Sequence, residues 1–160
     1  RVDAGRGGTP FHSVDLTAIA RDAAADAPEG AGRVRVVADE AVLVPGDPTL
    51  LRVLVDNLIG NALRYSGQDA PILVKVTQGP SASLSVEDQG PGVPENEKRR
   101  VFERFFRGSA ATPGSTGAGL GLALVAEIAR VHGAECKMES APGRTIVRVQ
   151  FPEVKSPASA

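Results

Sequence analysis

The sequence predicts an α+β domain in which helices pack on a mixed β-sheet, and three observations carry that prediction. Alternating runs of Val, Ile and Leu at 33–38, 71–78, 83–88 and 144–151 have the period of half-buried strands. Segment 48–65 repeats apolar residues every four positions, the period of an amphipathic helix. Runs of strands are broken by three helical stretches, which argues for helices laid against a mixed sheet.

Taken in order, 15–26 is Ala-rich with Leu16, Ile19 and Ala23 on one face, and reads as a helix capped by Asp15 or Thr17 and ended before Pro28. Strand 33–38 follows. A short strand, 41–44, is expected to pair with it as a hairpin. Asp47 and Pro48 read as an N-cap and a first-turn proline, and Leu50/Leu51, Leu54/Val55, Leu58/Ile59 and Ala62/Leu63 form the wide apolar face behind them. Strands 71–78 and 83–88 are joined across Gly79 and Pro80. Segment 94–103 fits a short helix, and 107–117, small, polar and punctuated by Gly and Pro, reads as a mobile loop. Helix 120–132 is closed by Gly133, and 135–139 and 144–151 complete the sheet.

Composition narrows the classes. A chain of 160 residues, 42% hydrophobic and 23% charged, suits one globular domain with a normal core. Its formal charge of −1 gives no electrostatic case for a nucleic-acid partner. Cys136 is the single cysteine, so no internal disulfide is available, and packing is a better account of it than nucleophilic chemistry. No apolar run is long enough to cross a bilayer. The chain opens on Arg1 without a methionine, which reads as a piece of a longer protein, and 153–160 reads as a frayed tail.

Four stretches carry chemistry. Asn57, Asn61 and Tyr65 recur every four residues on the long helix, with Arg64 beside them. Asn is a poor interior helix residue, about 0.5–0.7 kcal/mol worse than Ala. The stripe is either a solvated face or a set of amide oxygens and a cation facing a bound group, and neutral oxygens suit a magnesium ion that already carries phosphate. Asp88 ends its strand on the same side as Leu84 and Val86, so it points inward, and a buried carboxylate needs donors. It suits the exocyclic amine of adenine and repels the carbonyl of guanine. Gly90 and Gly92 then allow close approach to a flat ring; the simpler alternative is a turn aspartate. Gly117, Gly119 and Gly121, interleaved with Leu120 and Leu122, precede a helix, where backbone N–H groups can meet an anion. The spacing is neither a dinucleotide fingerprint nor a phosphate-binding loop with its Gly-Lys-Ser/Thr. Finally V101-F-E-R-F-F-R107 gathers three phenylalanines with Arg104 and Arg107, whose forked guanidinium groups suit phosphate oxygens.

In that order, D56-N-L-I-G-N-A-L-R-Y-S66, D88-Q-G-P-G92, F102-E-R-F-F-R107 and G117-A-G-L-G-L122 resemble the N, G1, F and G2 boxes of the ATP-binding catalytic domain of two-component sensor histidine kinases. The resemblance implies a two-layer sandwich, a mixed sheet of about five strands backed by three helices, over residues 11–152, with 1–10 a linker from an absent dimerisation domain and 95–116 a lid over ATP. It implies ATP and Mg²⁺ as ligands. Asn61 would be the principal metal ligand, with Asn57 sharing the metal or its water. Arg64 would touch phosphates, Tyr65 would pack on adenine, and Asp88 would accept from the adenine amine, with Gly90 and Gly92 making room. Gly117, Leu120, Gly119, Gly121 and Leu122 would wrap the triphosphate. Arg104 and Arg107 would approach its outer phosphates or the partner domain, and Thr145 stands at a hydroxyl position near Asp88.

The same resemblance implies γ-phosphoryl transfer to a histidine of a separate dimerisation domain, a cognate response regulator downstream, a monomer in isolation and a homodimer at full length. It also implies a cytoplasmic location within a membrane sensor. Two features depart from a complete kinase or an ATPase. Asn57 occupies the position where ATPase relatives carry a catalytic Glu. Neither His12 nor His132 has the sequence context of a phosphoacceptor, and His132, before Gly133, reads as a helix C-terminal residue placed for the dipole. The rival readings are a serine kinase of the anti-sigma type or an ATPase of the same class, and a non-enzymatic nucleotide-binding module.

Overall fold

The computed structural model describes residues 11–27, 32–66, 70–90 and 121–153. The expected helix at 94–103, the loop at 107–117 and the remainder of the lid lie outside the described residues. So do Gly92, Arg104, Arg107, Gly117, Gly119 and Leu120.

The element order is β1 (His12–Asp15), α1 (Leu16–Asp26), β2 (Val34–Ala38), β3 (Leu43–Gly46), α2 (Pro48–Tyr65), β4 (Ile72–Thr77), β5 (Ser83–Asp88), α3 (Gly121–Val131), β6 (Glu135–Ala141) and β7 (Arg144–Gln150). Five strands form one sheet in the order β2-β4-β5-β7-β6. The β2–β4 pair is parallel and the other pairs are antiparallel, so the sheet is mixed as expected.

One expectation fails. β3 does not form a hairpin with β2; it pairs antiparallel with β1, His12 opposite Gly46, in a separate two-stranded sheet. β2 instead lies beside β4, which follows it only after α2. The reason is the apolar face of α2, which must be buried and so is laid across the sheet between the two strands, making a crossover that obliges them to run parallel. The β1 strand had no expectation attached to it, because four residues with one buried side chain carry too little alternation to show.

Local chemistry sets the helix ends. Asp47 accepts hydrogen bonds from the N–H groups of Thr49 (2.9 Å) and Leu50 (3.1 Å), with Pro48 in the first turn. Asp15 caps α1 through the Ala18 N–H at 3.2 Å. Gly133 and Gly143 adopt φ of 70° and 83° behind α3 and between β6 and β7, a region that L side chains avoid. The core lies between the sheet and the helices. Leu16, Leu51, Leu54, Leu58, Ile59, Ile72, Val74, Leu84 and Val149 are fully buried there, and α2 packs against α1, α3 and β5. The other sheet face carries the ion pairs Arg144–Glu87 (3.1 Å) and Arg148–Glu139 (2.7 Å).

Candidate functional site

Asp88 is the buried acid that the alternation of β5 predicts, 5% exposed, in line with Leu84 and Val86. Its Oδ1 accepts the Gly90 N–H at 2.8 Å. Burial pushes the carboxyl above its usual range, the Gly90 bond draws it back in part, and the neighbouring Glu87 charge raises it further. Opposite it in the ladder stands Thr145, also buried, whose Oγ1 lies 3.0 Å from Ser140 Oγ. The expected pairing of acid and hydroxyl is thus present at one end of the central strands.

The stripe on α2 occupies a boundary. Leu54, Val55, Leu58, Ile59 and Ala62 are buried and Asp56 is exposed, whereas Asn57, Asn61 and Arg64 are all half-buried. The stripe thus runs along the margin between the packed face and the exposed one. The Asn57 Nδ2 donates to the Val53 carbonyl at 2.7 Å, which leaves the amide oxygen as the atom free to meet a cation. Arg64 sits in the last turn of α2, where its charge also complements the helix dipole. Tyr65 is the last residue of that helix.

Sequence reasoning passed over Gly60. Glycine inside a helix costs about 0.5–1 kcal/mol relative to Ala. Among the described residues no atom lies within 4 Å of where its Cβ would stand. The space outside Gly60, on the helix surface near Asn57 and Arg64, is therefore open among the described residues, and an unforced glycine in a strong helix is the signal that could have drawn notice to it. Gly121 is the first residue of α3, and Leu122 beside it is buried in the core. Since α2 packs on both β5 and α3, the amide stripe, the strand bearing Asp88 and the glycine-led helix start belong to adjoining elements.

Metal ligation at this place would fall to amide oxygens. Among the described residues no group of three or more His, Cys, Asp or Glu side chains is placed to hold a metal ion. The half-buried Asn57 and Asn61, one with its nitrogen already committed, are hard neutral donors that fit Mg²⁺ with phosphate oxygens completing its shell. A groove of about 630 Å³ lies elsewhere, lined by Phe11, Leu43, Pro45, Pro80 and Pro152 among others, and includes none of the expected site residues.

Both other notable groups are structural. Cys136 packs against the core, and burial pushes its thiol up to about 11, consistent with packing. His132 stands at the C-terminal end of α3 as expected, and it is buried, 6% exposed. Its Nε2 accepts the Asp47 N–H at 3.1 Å and its Nδ1 lies 2.8 Å from the Ile128 carbonyl, so Nδ1 is the nitrogen that donates. Phe11 stacks on the ring at 4.8 Å, and Phe151 meets it edge-on at 6.5 Å.

Comparison with known proteins agrees with this geometry. Residues 46–155 match the family described as histidine kinase-, DNA gyrase B-, and HSP90-like ATPase, a span that contains every expected site residue. The sensor-type histidine kinase PrrB of Mycobacterium leprae is 38% identical over 87% of this chain and 32% of its own length. The signal transduction histidine-protein kinase AfsQ2 of Streptomyces coelicolor is 38% identical over 98% of this chain and 29% of its own. The chain thus spans about a third of the length of these relatives. Among solved structures, the mycobacterial sensor histidine kinase MprB superposes with a TM-score of 0.80 at 29% identity, over 91% of this chain and all of that one. The ATP-binding domain of PrrB from Mycobacterium tuberculosis does so with a TM-score of 0.72 at 31% identity, over 92% and 100%. The chain belongs to the histidine kinase-, DNA gyrase B- and HSP90-like ATPase family, and within it to the ATP-binding catalytic domains of sensor histidine kinases.

Proposed function

We propose that this domain binds Mg·ATP between the amide stripe of α2 and the start of α3, with adenine against Asp88, and hands the γ-phosphoryl group to a histidine on a separate dimerisation domain. The observation that carries the reading is Asp88, a buried carboxylate with one oxygen satisfied by Gly90 and a second that suits the adenine amine. Thr145 beside it gives a hydroxyl for a bridging water or a ring nitrogen.

Asn61 and Asn57 would hold Mg²⁺ through their amide oxygens, and the ion would supply charge neutralisation to the phosphates when bound. Arg64 contributes positive charge to the phosphates from the last turn of α2, and Tyr65 packs on the base. Gly117, Gly119, Leu120, Gly121 and Leu122 wrap the triphosphate, Gly92 joins Gly90 in making room for the ring, and Arg104 and Arg107 approach the outer phosphates or the partner. Catalysis in such a transfer is chiefly positioning and charge neutralisation. Asn57 supports transfer over hydrolysis: its nitrogen donates to Val53, and an amide has no basic atom with which to activate water.

The acceptor domain, a response regulator, a homodimer at full length and a place on the cytoplasmic side of a membrane belong to the same proposal, supported by the sensor-kinase names of the relatives. Among the described residues no helix is long and apolar enough to cross a membrane. Incubation with γ-labelled ATP, Mg²⁺ and a separately produced dimerisation domain of the same full-length protein tests the reading. Acid-labile label on that domain is expected. Label on a sigma-regulator serine instead, or rapid release of phosphate without transfer, would replace it with one of the rivals.

A further inference from the structure

We infer that His132 is a positioning residue: it pins the end of α3 to the start of α2 and so sets the spacing of the two helices that flank the nucleotide, an inference that rests on the binding reading above. The pin joins residues 85 positions apart, through the bond from the Asp47 N–H to Nε2. The Nδ1–H fixes the ring to its own helix through the Ile128 carbonyl. The ring is seated against backbone, because a Cβ at Gly46 would stand 2.7 Å from its Cδ2 and 2.8 Å from Leu51 Cδ1. Phe11 closes the other face at 4.8 Å with planes 9° apart, and Phe151 meets the edge. Each ring nitrogen has a defined partner, so the position is fixed by direction as well as by volume.

Distance gives the pin leverage. Gly121 lies eleven residues before His132, roughly 16 Å along the helix at 1.5 Å per residue. A tilt of about 5° about the pin would move the start of α3 by roughly 1.4 Å. Misplacement on the order of 1 Å at a reacting centre is enough to cost a large part of a rate. The same bond holds the first turn of α2, the helix that carries Asn57 and Asn61 further along.

The test compares three variants for affinity toward a non-hydrolysable Mg·ATP analogue by calorimetry, with urea denaturation and circular dichroism of each. His132→Phe keeps the ring volume and the stack on Phe11 but removes the acceptor, and should bind the analogue about two- to thirtyfold more weakly while folded, the range typical of residues that couple to a site without touching it. His132→Gln returns an acceptor near Nε2 and should bind more tightly than the Phe variant, although it fills the space less well. Gly46→Ala crowds the ring and should weaken binding in the same direction; it carries the test if the Phe variant does not fold. Wild-type affinity in folded His132→Phe or in Gly46→Ala, or a Gln variant weaker than Phe, overturns the pin alone. A wild-type domain that binds no analogue overturns the nucleotide reading and the pin with it.

Discussion

Replacing Asp88 by Asn isolates the role of the buried acid, because the two side chains differ by one atom. In the wild type Oδ1 is occupied by the Gly90 N–H at 2.8 Å, and Oδ2 is the acceptor left for an adenine amine. Asparagine has one oxygen. If that oxygen keeps Gly90, its NH₂ faces the amine, donor against donor; if it turns to the amine, the buried Gly90 N–H loses its partner. A hydrogen bond to a charged group contributes about 1.5–3 kcal/mol, so the dissociation constant of an ATP analogue should rise about 10- to 150-fold. The preference for ATP over GTP should shrink as well, since an NH₂ group can meet the guanine carbonyl.

Stability should move the other way. Burial raises the Asp88 carboxyl in the fold above its unfolded value, so stability falls as the pH climbs from the unfolded pKa through the folded one, above which the full cost of the buried charge is present. The uncharged Asn avoids that cost. Unliganded Asp88→Asn should therefore be at least as stable as wild type at neutral pH, and the advantage should vanish in acid, where Asp88 is protonated in both states. Calorimetric titration with the analogue, and urea denaturation at about pH 2.5, below the unfolded carboxylate range, and at about pH 7.5 read both effects. Unchanged analogue affinity refutes the adenine assignment, and a variant destabilised at neutral pH refutes the account of the buried charge.

Other expectations concern separate parts of the domain. Asn61→Ala should weaken analogue binding at least about tenfold in Mg²⁺, and hardly at all in a chelator, since it removes a proposed metal ligand; equal losses in both conditions would place Asn61 elsewhere. Gly60→Ala should stabilise the unliganded domain by up to about 1 kcal/mol, because the helix gains propensity and the space beside it is open; denaturant midpoints check it. Asp47→Ala removes a cap with two accepted N–H bonds and should cost about 0.5–2 kcal/mol by the same measurement. The Cys136 thiol, raised to about 11 by burial, should react slowly with a disulfide reagent at neutral pH in the folded domain and rapidly in urea.

The helix and strand that carry the candidate site were legible because they depend on short-range periodicity. The every-four repeat located α2 to the residue, with Asp47 as its cap, and alternation alone turned Asp88 inward. What the sequence concealed is long-range. The partner of β3 is β1, some thirty residues upstream, and β2 reaches β4 only across α2. A short strand reads as the partner of its neighbour because nothing local says otherwise. The burial of His132 was hidden for a related reason: its place before Gly133 marks a helix end, and only the approach of Phe11, Gly46 and Asp47 from distant segments encloses the ring. Gly60 drew no notice because a lone glycine in a helix carries no local sign of whether the space beside it is open.

The lone parallel pair has a consequence for how the domain assembles. β6 and β7 meet through a tight turn, and β4 and β5 through a short one, so these contacts close small loops. β2 sits at one margin of the sheet, and its pairing with β4 spans β3 and the whole of α2. Closing so long an excursion is slow compared with zipping a hairpin, which predicts late capture of β2 in refolding, readable by pulsed hydrogen exchange.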